Sequence, residues 1–305
     1  MTYQGPIIDV HHHLWDYEMG THKWLGQAAS SLKIVGDSRY LERSYMPTDI
    51  GADIAGNNVA ATVHVEAHWD RTRDGIEETQ WLESLDRPAN IAHRYIAWAE
   101  LSRPGAERRI GAHQRCSGRV IGVRESIREH PDPAFAYSGS ANWRDPVWQE
   151  GVGFLEKAGL VLELLIYPHQ AEDVRAIARR FPELRVVVNH SASPIGTGDE
   201  ARKRFRQAIA IMAQCPNIHV KASNFFRYSE DLSFDDCVSA IARPLVETFG
   251  PTRMMFASDY PVASKWAPYS RILDSLKELL QGYSPEEQRA YFHDTASKVY
   301  RIQVK

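Results

Sequence analysis

Apolar residues along this chain fall into short, β-branched runs separated by segments of helical periodicity. Eight runs stand out: residues 6–10 (PIIDV), 59–66 (VAATVHVE), 91–100 (IAHRYIAWAE), 119–124 (RVIGVR), 160–167 (LVLELLIY), 184–190 (LRVVVNH), 217–223 (NIHVKAS) and 253–259 (RMMFASD). Several are almost continuously apolar, which is how strands buried on both faces read. Between them, residues 75–86, 171–181, 200–215, 235–250 and 269–282 place apolar side chains at helical spacing. Residues 145–159 open with Asp145-Pro146, a cap followed by a first-turn proline, and stop at Gly159. A last stretch, 284–302, predicts two short closing helices. Eight strands alternating with helices predict a parallel sheet, and eight is the number that closes a barrel. An open doubly wound sheet shares the alternation, but no glycine-rich phosphate loop follows the first strand. Without an internal repeat or linker, residues 1–305 read as a single α/β domain, a (β/α)8 TIM barrel.

Two stretches break the alternation. Residues 14–46 follow the first strand and residues 128–144 the fourth, and both are long and irregular. Loops of this length in a compact domain are usually functional, and in a barrel they lie on the face that carries chemistry.

A polar residue ends or follows most of the apolar runs: His11 and His13, Glu66 and His68, Glu100, Arg124, His169, His190, Lys221 and Asn224, and Asp259. Each alone is weak evidence, since a histidine past a strand end can cap the next helix and a buried one can be a satisfied packing partner. In a barrel, however, all these points converge on one mouth. The run His11-His12-His13 joins directly to the apolar residues before it, which argues against a purification tag. Strand alternation sends His11 and His13 to one face and His12 to the other. Two imidazoles on one face can hold a metal or polarise a carbonyl. Asp259 follows MMFAS; a carboxylate buried there needs a partner or a task, because burying it bare is costly.

Composition narrows the class. The 305 residues are 43% hydrophobic and 25% charged with a net charge of −3, so neither nucleic acid nor an anionic membrane is an expected partner. Cys116, Cys215 and Cys237 form no CxxC pair and fit a reducing compartment. No apolar run approaches the roughly 18 residues of a membrane span, and the start shows no leader pattern, so a cytoplasmic location is expected. The oligomeric state stays open, a homo-oligomer included.

Together these residues resemble a known family. Asp9-x-His11-x-His13, YPHQ (167–170), VVNHSASP (187–194), VKAS (220–223) and MFASDYPV (255–262) are similar to the amidohydrolase superfamily. Within it they resemble the lactonase branch that includes 2-pyrone-4,6-dicarboxylate lactonase and L-fuconolactonase. VHVEAHWD, GVR, DPVWQEGVGFLEKAGL and ASKVYRI match that branch in order, so the resemblance spans nearly the whole chain. It implies a distorted (β/α)8 barrel that hydrolyses a lactone. Binuclear members carry a lysine or glutamate at the end of strand four, where this chain has Arg124. A guanidinium does not ligate metal but can clamp a substrate carboxylate, unless it is tied up in a surface salt bridge. The family turns HLGKP and SGL read HSASP and SNF here, which points to a different substrate.

Lactone hydrolysis needs an activated water, a polarised carbonyl and a proton for the leaving alkoxide. The expected catalytic groups are Asp259, as base, with His190 and His169. His11, His13, His169 and Asp259 would make a mononuclear zinc shell, although the same histidines can donate hydrogen bonds to the oxyanion without a metal. Arg124, Glu66, Lys221, Tyr167 and Arg227, with the aromatic loop from Trp15 to Trp24, are the expected substrate contacts. The same residue set also fits a zinc-dependent decarboxylase of aromatic acids or a lactone isomerase. A non-catalytic carboxylate-binding barrel is disfavoured, since buried polar groups without a task cost stability.

Overall fold

The computed structural model describes residues 2–26, 37–136, 139–227 and 232–304. Among them, eight strands form one parallel sheet in sequence order: β1 (Ile7–His12), β2 (Val59–Val65), β3 (Arg94–Ala97), β4 (Val120–Ser126), β5 (Val161–Leu165), β6 (Arg185–Val188), β7 (Ile218–Ala222) and β8 (Met254–Phe256). The ring closes just past β8. Asp259 N–H donates to His11 O at 2.8 Å, and His13 N–H to Tyr260 O at 2.8 Å. The fold is a (β/α)8 TIM barrel, as the alternation predicts.

Helices α1 (Pro47–Asp53), α2 (Ile76–Ser84), α3 (Ala106–Cys116), α4 (Pro146–Lys157), α5 (Ala171–Arg180), α6 (Asp199–Ala213), α7 (Phe234–Cys237), α8 (Arg243–Phe249) and α9 (Tyr269–Leu279) cover the outside. The closing stretch forms α10 (Pro285–Arg289) and α11 (Thr295–Tyr300). The α4 start is as read: the Asp145 side chain accepts from Val147 N, with Pro146 in the first turn. Helix α3 escapes the sequence pattern because only Ala106, Ile110 and His113 are buried along it. The third apolar run is mostly not strand; it pairs only over Arg94–Ala97. No helix of the described residues is long and apolar enough to cross a membrane.

Ile8, Val10, Val63, Val65, Val161, Val187 and Met255 pack in one cluster inside the barrel, with Val299, Tyr300 and Ile302 from the chain end. The C-terminal helix thus stoppers the floor, and the opposite mouth stays open. A larger cluster fills the layer between strands and helices, with Trp148, Ile177, Ile209 and Leu276 from the helices.

One irregularity decides what faces the mouth. Between β1 and β2 the pairing runs Asp9 to Thr62 and then His12 to His64, three steps against two. This is a β-bulge, which re-aims side chains locally. Ile8 and Val10 point into the barrel, and strict alternation would turn His11 outward. The extra residue lets His11 and His13 share the interior, while His12 turns out to Thr62 Oγ1 at 2.9 Å. Asp9 is also turned away. Its carboxylate accepts from His11 N, Ser258 N and Tyr269 Oη at 3.0–3.1 Å, which ties β1 to the β8 end and α9.

Candidate active site

Four side chains meet at the C-terminal end of the barrel. His11 Nε2 and His13 Nε2 each lie 3.4 Å from Asp259 Oδ1, and His190 Nε2 lies 4.0 Å from the same atom. All four residues are buried. Each imidazole is held by its far nitrogen: His13 Nδ1 on the Val65 carbonyl at 2.8 Å, His190 Nδ1 on Ser223 Oγ at 3.0 Å, and His11 Nδ1 beside Lys221 Nζ at 3.3 Å. Such outer partners fix ring orientation. Two atoms of the group, His11 Nε2 and Asp259 Oδ2, are buried without a hydrogen-bond partner.

The backbone is bent to deliver these groups. Asp259 has φ 60°, and His190, Ser191, Ala192 and Ser193 run consecutively at φ 49–62°. Five non-glycine residues in the left-handed region cost on the order of 1–3 kcal/mol each, a strain that concentrates at functional sites. Burial pushes the Asp259 carboxyl up, but His190, His13 and Arg227 pull it further down, and it ends below the usual range. Burial holds His190 well below the ordinary imidazole value against the pull of Asp259. It does the same to His11, aided by Lys221.

A cavity of about 440 Å³ opens above the cluster. His13, His190 and Asp259 form its floor. Lys23, Arg71, Arg124, Arg128 and Arg227 stand in its wall, Lys23 ion-paired with Asp70 at 2.6 Å, with Trp24, Trp69, Leu165 and Val262 supplying apolar surface. Arg124 is paired with Glu66, Nε to Oε1 at 2.8 Å and Nη2 to the backbone carbonyl at 2.6 Å, both residues being 2% exposed. Burial raises the Glu66 carboxyl, but Arg124 and Arg71 outweigh it and hold it well below its usual value. The pair is therefore no surface salt bridge; it sets Arg124 in the cavity wall.

Several expected contacts lie elsewhere. His169, expected as a catalytic group and metal ligand, is exposed, and its Nε2 lies 2.8 Å from the Glu129 carbonyl. The chain leaves β5 at Leu165 and turns through Pro168 into a short helical turn ahead of α5, which carries His169 out to the rim. Lys221, expected to bind substrate, is buried in the barrel interior beneath His11 and ion-paired with Glu163 at 2.7 Å. Tyr167 donates its hydroxyl to Phe135 O, and its ring lies 5.3 Å from the Arg128 guanidinium. Glu66 sits behind Arg124 and Arg71. These three act on other protein groups and do not line the cavity. Arg124 and Arg227 do line it. Residues 27–36 and 137–138, within the irregular segments, and residues 228–231 lie outside the described residues.

Sequence reasoning missed Arg128, Arg71 and Lys23. Arg128 stands two residues past β4, which runs on to Ser126, and it donates to Ser193 Oγ at the end of the left-handed turn. Nothing in the local pattern distinguishes it from a solvated loop arginine.

Side chains drawn from β1, β4 and the segments past β1, β4, β6 and β8 to the C-terminal mouth define an enzyme of the (β/α)8-barrel class. The family model described as Amidohydrolase matches residues 8–302, and the chain belongs to this family. A protein of Sinorhizobium fredii, the uncharacterized protein y4mH, is 30% identical over 97% of this chain and 98% of its own length. An L-fucono-1,5-lactonase of Burkholderia multivorans is 24% identical over 97% and 96%. The crystal structure of an amidohydrolase from Burkholderia multivorans with bound HEPES superposes with a TM-score of 0.79 at 25% identity, covering 98% of this chain and all of that one. A second crystal form from that organism, with bound zinc, gives 0.78 at 24% identity over 98% and 100%.

Proposed function

We propose that this protein hydrolyses a lactone that carries a carboxylate, with Asp259 as the general base on water. The observation that carries this reading is the buried Asp259 carboxylate, its Oδ1 beside three imidazole Nε2 atoms and its Oδ2 unpartnered, at the foot of a cavity whose wall includes Arg124, Arg128 and Arg227. Its likeness to L-fucono-1,5-lactonase over nearly its full length supports the ester chemistry. The cations support the charge of the substrate, since guanidinium groups recognise carboxylates in bidentate fashion.

In this reading the substrate carboxylate sits against Arg124, Arg128 and Arg227, and the lactone carbonyl lies over the histidines. Asp259 Oδ2 takes a proton from water as its oxygen attacks the carbonyl carbon. The ring C–O bond then breaks, and Asp259 returns the proton to the departing alkoxide. His190, kept neutral by burial, faces the same point and can steady the oxyanion.

The donor set also fits one divalent ion. His11, His13 and Asp259 each offer a ligand atom within 4.8 Å of the others, and two atoms of that set have no other partner. A zinc ion held there supplies Lewis-acid polarisation of the carbonyl. His169 is not part of that set.

The test is a panel of sugar-acid and dicarboxylic lactones followed with a pH indicator, with and without a chelator. Acid release from an anionic lactone is the expected result. Activity that survives full metal removal eliminates the zinc. Carbon dioxide from an aromatic acid, with no lactone opened, replaces the function by that of a decarboxylase.

A further inference from the structure

The barrel interior holds a polar network that the proposed chemistry leaves unexplained. Lys221 in β7 and Glu163 in β5 are both fully buried. Lys221 Nζ lies 2.7 Å from each Glu163 carboxylate oxygen, 2.8 Å from the Val10 carbonyl and 3.3 Å from His11 Nδ1. Glu163 accepts in addition from Tyr300 Oη at 2.7 Å and from Asn189 Nδ2 at 2.9 Å. A buried ion pair is often no more stabilising than apolar residues of equal volume. Stability alone therefore gives no reason for placing one under an active site.

The reason lies in who can donate. An ammonium has three donors and no acceptor, and a carbonyl only accepts. The three protons of Lys221 face three acceptors: the Glu163 carboxylate, the Val10 carbonyl and His11 Nδ1. A proton on His11 Nδ1 would point at another donor, so the His11 proton belongs on Nε2, the nitrogen facing Asp259. His13 is held the opposite way. Its Nδ1 meets the Val65 carbonyl, so that nitrogen carries the proton. Metal-binding histidines donate their far N–H to an acceptor. His13 satisfies that rule and His11 reverses it.

We propose that Lys221, anchored by Glu163, is a positioning residue that fixes His11 as a hydrogen-bond donor, so that the two histidines of the opening motif play unlike parts. His11 presents an Nε2–H to the carbonyl oxygen of the substrate, and His13 presents the nitrogen suited to a cation. The identity of that oxygen rests on the lactonase reading; the state of His11 does not. Zinc entering the site has to displace the His11 proton, which weakens its binding.

The experiment uses the full-length, metal-free protein labelled with 15N-histidine. Long-range proton–nitrogen correlation spectra report which ring nitrogen of His11 is protonated, with His11→Gln assigning the signal. The expected result is a protonated Nε2 and a bare Nδ1. A double variant, Lys221→Met with Glu163→Gln, removes both buried charges together. In it the exclusive Nε2–H signature is lost, and zinc titration shows binding tightened by about tenfold, the scale on which outer partners act. A parent spectrum with His11 protonated at Nδ1 overturns the proposal. So does a double variant that keeps both the signature and the zinc affinity of the parent. If the variant fails to fold, the parent spectrum decides alone. No lactone enters these measurements, so failure of the lactonase reading shows up separately, in the substrate panel.

Discussion

Asp259 combines three features that are individually costly: a buried carboxylate, an oxygen without a partner, and a left-handed backbone. Under the proposed mechanism each has a use. Burial strengthens its interactions, the bare oxygen meets water, and the twisted backbone aims it at His11 and His13. Asp259→Asn keeps the shape and removes the base. Hydrolysis of the lactone found in the panel should fall by about 10²–10⁴-fold in kcat, with the melting temperature near that of the parent. A variant retaining more than a tenth of the parental kcat would show that the base is another group. His11, His13, His190, Arg124 and Asp259 were legible as residues of the barrel mouth because each ends or follows a strand, although the inward turn of His11 and His13 comes from the β1 bulge and not from strand periodicity. His169 follows a strand by the same rule, yet the short helical turn Pro168–Gln170 carries it outward. Lys221 lies within β7 and Glu163 within β5, both inside the barrel. The local pattern did not separate Lys221 from a side chain at the mouth.

At the scale of elements, strand irregularities do as much as the strands. The β1 bulge turns the histidine pair inward, and β4 is placed by a close approach of backbones. A Cβ added at Gly122 would stand 2.6 Å from the Val161 carbonyl and 2.7 Å from Ile96 Cδ1. The carbonyl belongs to a paired strand and cannot give way. Gly122→Ala should therefore cost about 1–3 kcal/mol in urea unfolding, the range for overpacking. It should also disturb Arg124 two residues on. An unchanged unfolding midpoint would mean that β4 has slack that the pairing does not show. The alternation of apolar runs revealed where strands exist, and their ends shifted by a few residues. Helix α3 was invisible because a helix lying on a barrel needs only three buried positions, too few for a periodic signal.

For the molecule as a whole, the gathering of imidazoles has a thermodynamic consequence. Among the described residues, nine histidines are held below their ordinary value with burial as the leading cause, His22 and His219 to about 4. Such a histidine takes up a proton in the unfolded chain below about 6.5 but resists it when folded. Acidification through that value therefore removes stability. Burial moves three carboxyls the other way: Asp9 up to about 6, Glu125 up to about 7, and Glu78 upward. These stay protonated in the fold after the unfolded chain has released its proton, so they favour the fold at lower pH. Nine groups against three decide the sign. The melting temperature of the metal-free protein should fall steadily as the pH drops from neutral to about 5. A flat or rising profile would show that the histidines take up protons in the folded state.

The chain alone determined the architecture and the family, because strand burial, helix periodicity and the order of motifs are written locally and survive in any register. It also determined that the histidine motif and the late aspartate would be neighbours, since an eight-stranded ring must bring its first and last strands together. Only the tertiary structure decided which polar groups share the cavity. That depends on a single extra residue in β1, on the direction of a turn after β5, and on partners as distant as Glu163 and Tyr300. Whether a buried charge faces substrate or another buried charge is settled by what lies across the barrel, and no stretch of sequence contains both sides of it.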